Sequence, residues 1–369
     1  MKEGWTYKKL GEVSSFQNGF AFKSNLFRKE GCPIVRISNI QNEEVQTDDI
    51  VYFNKEDYPV NFDNYKIFPN DILIAMSGGT TGKLGINTTN TIFYQNQRVG
   101  VIREDKKTLN HRFLFYFLHT KSEESLKIAA GAAQPNLSTA QIKDFIIPLP
   151  SLPEQQSIVD YLDSAFAKID AMKANAEKAL NEAKALFQAS LKEMLEPKEG
   201  WEEKTIEHFA RIVHGKNQKE VLDSNGSYPI YGSGGNIMGY ANAYLCEAGT
   251  TILGRKGTID NPLFIDERFW NVDTAFGIIA KDNCNKKYLY YSIKKVDWAK
   301  LNTGTTLPSL TQNVVYNVAM CAPPLSEQQS IVATLDSLKS KVDRLQENYN
   351  KISQECDALK QAILRQVFE

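Results

Sequence analysis

The chain has 369 residues, of which 42% are hydrophobic and 24% are charged, and its formal net charge at pH 7 is −1. This length accommodates two domains of about 150 residues, each with its own core. No apolar run approaches the ~20 residues of a membrane span, and the first residues include no apolar signal segment. We therefore expect a cytoplasmic protein that has no membrane partner.

The cysteines and histidines give no indication of a metal site. Five cysteines are scattered along the chain without a CxxC pair, and only four histidines are present. Closely spaced pairs of such residues are typical of zinc sites and of disulfide frameworks. The sequence therefore predicts neither a bound metal nor a disulfide scaffold.

Residues 1–150 predict a first globular domain that is rich in short strands. An apolar strand near residue 72 runs into the loop SGGTTGK at 77–83, and the turn NQR at 96–98 precedes another strand. A helix is expected around 111–119. A Gly-rich loop that ends in a cation offers backbone N–H groups and a positive charge, which suit phosphate groups and base edges.

Residues 151–199 predict a long helix. The segment 154–195 contains no Gly or Pro and is rich in Ala, Glu, Lys and Leu, which are strong helix formers. Pro197 is expected to stop it.

Residues 200–322 predict a second globular domain with features in the same order. The segment YGSGG at 231–235 comes first, and a strand from about 250 then runs into the loop GRKG at 254–257. A further strand follows Asn271, and a helix is expected around 288–298.

Residues 323–369 predict a second long helix, from about Glu327 to Phe368, whose apolar residues recur in alternating steps of three and four. This spacing is typical of a coiled-coil seam. In the second helix the seam includes Leu335, Leu338, Val342, Leu345, Tyr349, Ile352 and Leu359. Carried back by 173 residues, the same register gives, in the first helix, Leu162, Ala165, Ile169, Met172, Ala176, Ala179, Ala183, Leu186 and Ser190.

Small seam residues opposite large ones favour pairing of the two helices with each other. The alternative is that each helix packs only on its own globular domain.

The chain contains an internal repeat. Residues 150–159 read PSLPEQQSIV and residues 323–332 read PPLSEQQSIV. At the same offset of 173, residues 131–138 align with 304–311. The pair Gly4-Trp5 recurs as Gly200-Trp201 at an offset of 196, so the two globular units differ in length. The sequence therefore predicts a tandem duplication of a globular unit followed by a helix, with two similar surfaces related by a pseudo-two-fold axis.

In combination, the repeated motif, the YGSGG segment, the strand-to-loop segments at 71–83 and 251–257 and the Gly-Trp pairs resemble the DNA specificity subunit of type I restriction-modification systems. The resemblance covers essentially the whole chain. It implies an α+β fold with two β-rich α/β target-recognition domains, at 1–150 and 200–322, separated by two conserved antiparallel coiled-coil spacer helices, at 151–199 and 323–369.

The resemblance also implies a function. Each recognition domain would read one half of a bipartite site in double-stranded DNA, and the helices would set the gap between the halves. Two methyltransferase subunits would bind the helices, and motor-endonuclease subunits would join the full complex. The chain itself would be a non-catalytic subunit that directs adenine-N6 methylation and restriction.

For DNA contact we expect polar and cationic side chains in the Gly-rich loops and turns, because Arg and Lys suit guanine or phosphate while Asn and Gln suit adenine. The candidates are Ser77, Thr80, Lys83, Gln97 and Arg98 in the first domain and Ser233, Asn236, Arg255, Lys256 and Asn271 in the second. For any single one, a structural role in a turn is an equally good interpretation.

No catalytic constellation or cofactor motif is evident, so no cofactor is predicted. Residues 261–264 read NPLF, which lacks the second proline of the Asn-Pro-Pro-Phe/Tyr motif of amino-methyltransferases, and a plain turn is favoured. The spacing in residues 78–83 does not match a phosphate-binding loop.

Two alternative functions remain open. The chain itself could methylate or cleave DNA, or it could be a coiled-coil scaffold or inhibitory protein that binds partner helices without reading DNA.

Overall fold

The computed structural model describes residues 4–130 and 136–369. Contacts divide the chain into two units, unit 1 with Met1–Ala174 and Lys351–Glu369, and unit 2 with Asn175–Asn350. Each unit thus combines one globular domain with parts of both long helices. Most of the first copy of the repeat at 131–138 lies outside the described residues.

Unit 1 is built from short strands and a few helices. Its strands are β1 (Thr6–Lys9), β2 (Ser14–Asn18), β3 (Cys32–Val35), β4 (Ile40–Gln41), β5 (Glu44–Val45), β6 (Val51–Phe53), β7 (Lys66–Ile67), β8 (Ile72–Ala75), β9 (Leu84–Ile86), β10 (Phe93–Gln95), β11 (Val99–Glu104) and β12 (Ile146–Leu149). Its α-helices are α1 (Leu10–Val13), α2 (His111–Thr120), α3 (Ser122–Ala130) and α4 (Thr139–Lys143), followed by the first long helix, α5 (Leu152–Met194). Single turns of 3-10 helix lie at Ser24–Leu26, Ile37–Asn39, Lys55–Asp57, Asp63–Tyr65 and Gly78–Thr80.

Unit 2 repeats this plan with fewer strands. Its strands are β13 (Glu202–Thr205), β14 (Ala210–His214), β15 (Tyr228–Tyr231), β16 (Ile237–Ala241), β17 (Thr250–Gly254), β18 (Leu263–Ile265), β19 (Trp270–Asn271), β20 (Ala275–Ala280) and β21 (Ala319–Ala322). Its helices are α6 (Ile206–Phe209), α7 (Lys286–Lys295), the 3-10 helix Trp298–Leu301, α8 (Gln312–Tyr316) and the second long helix, α9 (Leu325–Phe368).

The two units share a sheet topology. In unit 1 the order β2-β11-β8-β9 forms the antiparallel part of a six-stranded sheet, and in unit 2 the order β14-β20-β17-β18 forms a four-stranded one. In both, a parallel strand pair lies in a neighbouring sheet, β3 with β10 and β15 with β19. The first strand of each unit pairs with the last strand before the long helix, β1 with β12 and β13 with β21. The predicted fold class and internal repeat are confirmed.

Each domain core forms where the central strands meet one amphipathic helix. In unit 1 all four residues of β8 are buried, and the apolar face of α2, including Phe113 and Phe117, packs on the sheet. The helix α2 begins at Asn110, whose side chain accepts a hydrogen bond from the Phe113 backbone N–H at 3.1 Å. Asn285 caps α7 in the same way, accepting from the Tyr288 N–H at 3.1 Å. Such caps satisfy amides that have no partner within the helix.

Within each unit the two long helices run antiparallel. In unit 1, Leu162 and Ile169 of α5 are buried, and Asp170 forms an ion pair with Lys360 of α9 at 2.6 Å. Further along α9, Leu364 belongs to the same apolar cluster as Leu162. Residues nearer the start of α5 therefore contact residues nearer the end of α9, which is the antiparallel arrangement.

In unit 2, Phe187, Leu191 and Leu195 of α5 share an apolar cluster with Leu335 and Val342 of α9. Each helix therefore packs both on the other helix and on a globular domain. The two arrangements considered as alternatives from the sequence, helix pairing and packing on a domain, are both present. No helix in the described ranges combines the length and the apolar character needed to cross a membrane.

Two residues of the predicted seam lie on the wrong side of their helices. Met172 is 60% exposed and Leu359 is 47% exposed. The neighbouring Lys173 and Lys360 are half-buried instead and form ion pairs across the helices with Asp357 and Asp170. A heptad has two seam positions, and the predicted register placed one of them a single residue too early at these points.

The other predicted seam residues are buried or half-buried. Leu162, Ile169, Leu335 and Val342 are buried, whereas Leu338, Leu345, Tyr349 and Ile352 are half-buried. On α5 the intervening buried residues are Leu180 and Phe187, in place of the expected Ala179 and Leu186. The seam of α5 is thus bulkier than the transferred register suggested.

Candidate nucleic-acid interface

The loop after β8 presents one cation to solvent. It is closed by a hydrogen bond from the Lys83 N–H to the Thr80 carbonyl at 3.0 Å, and the Lys83 side chain is exposed. The hydroxyls of Ser77 and Thr80 are enclosed and have no hydrogen-bond partner within the described part of the chain. Lys83 is therefore the side chain of this loop that a ligand would meet first.

The turn between β10 and β11 lies beside that loop. The Met76 N–H donates to the carbonyl of Arg98 at 2.9 Å, which ties the turn to the end of β8. The side chains of Gln97 and Arg98 are exposed. The structure therefore brings Lys83, Gln97 and Arg98 to the same end of the sheet in unit 1.

In unit 2 the corresponding strand β17 is followed by Arg255 and Lys256. Their N–H groups both donate to the Thr274 carbonyl, at 2.8 and 3.1 Å. The Arg255 guanidinium is half-buried, donates to the Asp273 carbonyl at 3.4 Å and lies 6.0 Å from the centre of the Phe276 ring. Lys256 is exposed. It is therefore the side chain of this turn that a ligand would meet first, as Lys83 is in unit 1.

The loop that contains Ser233 and Asn236 lies against this cationic turn. Gly235 adopts a φ of +83°, and a Cβ added there would lie 2.0 Å from a methyl carbon of Leu263, so only glycine fits. A Cβ added at Gly257 would lie 3.7 Å from the Ser233 hydroxyl oxygen. The structure thus brings Ser233 and the segment 255–257 together, with Asn236 exposed in the same loop.

Asn271 does not belong to this surface, contrary to our expectation. Its side chain is completely buried, donates from Nδ2 to the Ala275 carbonyl at 3.2 Å and accepts a hydrogen bond from the Cys246 thiol at 3.4 Å. Burial also raises the pKa of that thiol to about 12. In unit 1 the buried Gln95 holds the equivalent turn by donating to the Val99 carbonyl at 2.6 Å. Both amides serve the fold.

A repeated glutamine, which the sequence alone does not mark as important, anchors each long helix to its domain. Gln155 and Gln328 are 0% and 1% exposed. Gln155 Oε1 accepts from the Asn110 N–H at 2.8 Å, and its Nε2 donates to the Pro150 and Thr108 carbonyls. Gln328 binds the Asn285 N–H, at 2.7 Å, and the carbonyls of Pro323 and Asn283.

A repeated aspartate forms a second anchor eight residues, or about two turns, further along each long helix. Asp163 of α5 accepts hydrogen bonds from Arg112, at 2.6 Å, and from the Tyr116 hydroxyl. Asp336 of α9 likewise accepts from Lys287 at 2.6 Å and from the Tyr291 hydroxyl at 2.7 Å. Burial, and then the nearby carboxylate, raise the pKa of Tyr116 to about 12 and shift the pKa of Tyr291 upward as well. Asp163 and Asp336 are separated by 173 residues, the offset of the internal repeat. This spacing is the feature of the sequence from which their shared role could have been predicted.

The segment 261–264 leads into strand β18. In the 261–264 segment, Phe264 lies in β18 and its ring packs against Tyr290, with 5.8 Å between ring centres. Among the residues that the structure describes, no group of three or more His, Cys, Asp or Glu side chains is arranged to hold a metal ion.

Comparison with protein families identifies both halves of the chain. The family model described as the type I restriction modification DNA specificity domain matches residues 2–182 and again residues 198–354. The two matches together span most of the chain and reproduce its internal repeat.

Several curated proteins are similar to part of the chain. It is 30% identical over 202 residues to the type I restriction enzyme EcoKI specificity subunit of Escherichia coli K12, a match that covers 52% of this chain and 42% of that protein. It is 28% identical over 191 residues to the EcoBI specificity subunit of Escherichia coli, covering 51% and 38%. The chain therefore spans about two fifths of the length of these relatives.

Solved structures share the fold over nearly the whole length. A chain from a study of complex assembly and conformational transition of the type I R-M system superposes with a TM-score of 0.79 at 18% identity, covering 99% of this chain and 97% of that one. The HsdS subunit from Thermoanaerobacter tengcongensis gives a TM-score of 0.57, also at 18% identity and with the same coverage.

Proposed function

Because the chain belongs to the type I restriction-modification DNA specificity family, we propose that it is a subunit that reads a bipartite site in double-stranded DNA, one half with each unit. The observation that carries this proposal is the repeated arrangement in which a buried central strand ends in a loop with an exposed lysine, Lys83 in unit 1 and Lys256 in unit 2. Its DNA partner would place the protein in the cytoplasm.

The chemistry of the two surfaces suits double-stranded DNA. Lys83, Arg98 and Lys256 can bind phosphate or the O6 and N7 acceptors of guanine, while Gln97 and Asn236 can pair with adenine. Ser233 and Arg255 lie next to Lys256, and Ser77 and Thr80 belong to the loop of Lys83, with their hydroxyls enclosed. Asn271 is removed from this set because it is buried.

The functional test is co-expression with the candidate methyltransferase subunit in a host that lacks adenine methylation. Single-molecule sequencing of the genomic DNA would then report N6-methyladenine. We expect a bipartite motif that appears only when this chain is present. If the partner assembles with the chain and no motif appears, the chain is a coiled-coil scaffold or inhibitor and the DNA-reading proposal is wrong.

Single-unit variants sharpen this test. Lys83→Ala combined with Arg98→Ala should weaken or relax one half of the motif, and Lys256→Ala should affect the other half. Lys8→Ala, which removes an exposed lysine on β1, is the matched control and should leave both halves unchanged. Phosphate contacts would be recognised by a lower salt dependence of binding in the variant.

We further propose that the long helices serve two purposes. They would bind two methyltransferase subunits, with motor-endonuclease subunits joining the full complex, and their length would set the spacing between the half-sites. The chain itself would contribute no catalysis. A binding assay with the methyl donor checks this point, because the isolated chain should not bind it while the assembled complex should.

A further inference from the structure

A loop beside the cationic turn of unit 2 carries an exposed leucine at its tip. Residues 302–309 connect the 3-10 helix Trp298–Leu301 to α8. Leu307 is 54% exposed, and its neighbours Thr305 and Thr306 are exposed as well. Single exposed leucines are common on protein surfaces, so the meaning of this one depends on how the loop is held and on what lies beside it.

The loop is held rigidly by its own side chains. Asn302 Oδ1 accepts from the N–H groups of Gly304 and Ser309, both at 2.8 Å, and Asn302 Nδ2 donates to the Gly304 carbonyl at 3.1 Å. Thr303 donates to the Ser309 carbonyl from its N–H at 2.9 Å and from its hydroxyl at 3.0 Å. A Cβ added at Gly304 would lie 2.0 Å from the Leu307 carbonyl oxygen, so the loop requires glycine there.

Two backbone hydrogen bonds join this loop to the cationic turn. The Gly257 N–H donates to the Pro308 carbonyl at 2.9 Å, and the Leu310 N–H donates to the Arg255 carbonyl at 2.8 Å. Lys256 and Ser309 lie opposite each other as an isolated β-bridge. The exposed leucine and the exposed lysine therefore belong to one preorganised surface.

This inference rests on the proposed function. We propose that Leu307 is a DNA wedge, whose side chain inserts between two base pairs of the half-site bound by unit 2 while Lys256 contacts the phosphate backbone. Proteins that kink DNA insert apolar side chains such as leucine between base steps, and cations on the same surface hold the strand. The bracing of the loop lowers the entropy lost when such a side chain is fixed against DNA.

The test uses the complex with the methyltransferase subunit and duplexes that carry the bipartite motif found by sequencing. The fluorescent base 2-aminopurine is placed at successive positions of both half-sites. The wild-type complex should unstack one step in one half-site, seen as a rise in fluorescence, and Leu307→Ala should abolish that rise and weaken binding about tenfold. Leu307→Met, which retains a long apolar side chain, should keep the signal.

Three controls separate the possible results. Leu222→Ala removes another exposed leucine of unit 2, 57% exposed, and should leave the fluorescence profile unchanged. A base flipped by the methyltransferase gives a signal that persists in Leu307→Ala. Equal melting temperatures of the wild-type chain and Leu307→Ala would show that the substitution at Leu307 does not affect folding.

An unchanged profile and affinity in Leu307→Ala would overturn the wedge while leaving the DNA-reading proposal intact. Weaker binding with an unchanged profile would also overturn it, since Leu307 would then contact a groove without insertion. The absence of any motif with the wild-type chain would overturn both proposals.

Discussion

Gln155 and Gln328 occupy the same place in the two copies of the repeated motif and make the same bonds, each accepting one backbone N–H and donating to two backbone carbonyls. Only an uncharged amide side chain can accept and donate in this way, because a carboxylate has no proton to donate. The N–H that each glutamine binds belongs to the N-cap residue of the domain helix, Asn110 or Asn285. The repeated motif therefore fixes each globular domain to the long helix that follows it by the same contact.

Replacing this glutamine should destabilise one unit. Gln328→Ala would leave the Asn285 N–H and the carbonyls of Pro323 and Asn283 buried without their partner, at a cost of about 3 kcal/mol in the free energy of unfolding. Chemical unfolding monitored by tryptophan fluorescence would measure the change, because three of the four tryptophans, including the buried Trp298, lie in unit 2.

The neighbouring Gln329 is exposed and provides the matched control. Gln329→Ala should change the free energy of unfolding by less than about 0.5 kcal/mol. Equal effects of the two substitutions would show that the buried hydrogen bonds do not hold the domain to the helix.

Tyr116 should make unit 1 sensitive to alkaline pH. Its pKa is raised from 10 to about 12 in the folded chain, because burial and the Asp163 carboxylate both disfavour the phenolate. A pKa that is higher in the folded than in the unfolded state stabilises the fold fully below pH 10, and this contribution is lost as the pH rises from 10 to 12. Tyr116→Phe should therefore flatten the decline of stability in this window, measured by urea unfolding at several pH values. A decline as steep as in the wild type would contradict this assignment.

Asn271 and Lys256 should separate stability from DNA binding. Asn271→Ala removes the buried hydrogen bond to the Ala275 carbonyl and should lower the free energy of unfolding by about 2 kcal/mol. Lys256→Ala changes an exposed side chain and should leave the melting temperature unchanged while it weakens DNA binding by the assembled complex. Calorimetry and a binding titration on both variants measure the two effects. If Asn271→Ala kept full stability and lost only DNA binding, the original sequence interpretation would be restored.

The exposed Lys83 and Lys256 were predictable from the sequence, whereas the burial of Asn271 was not. A strand followed by glycines and a cation is a local pattern, and the structure places Lys83 and Lys256 in exposed loops as that pattern implies. Whether an amide in a turn faces solvent depends on its neighbours in space. Asn271 is buried because Cys246, which is 25 residues away in sequence, lies against it.

The seam between the two long helices was also predicted only in part, because it too depends on neighbours in space. Composition predicted the first long helix, and apolar periodicity predicted the second. The register transferred from the second helix predicted the buried positions Leu162 and Ile169, which lie seven residues apart. The second seam position in each heptad depends on which side of the helix faces the partner and the domain. Alkyl parts of lysines fill it at Lys173 and Lys360, whose ammonium groups reach aspartates on the other helix, so hydrophobicity alone did not reveal it.

The proposed dependence of spacing on helix length can be tested by paired insertions. Seven residues added after Ala174 in α5 and seven added after Asn350 in α9 would keep the heptad seam in phase and lengthen both helices by about 10 Å. At 3.4 Å per base pair, the spacer of the methylated motif should grow by about three base pairs, with both half-site sequences unchanged. Genomic sequencing for N6-methyladenine measures this directly. The matched control replaces the seven residues on each helix next to these points with the inserted sequences, which changes composition but not length and should leave the spacer as it was. A lengthened chain that methylates the original motif would show that the spacing is set elsewhere, and altered half-sites would show that the helices also shape base recognition.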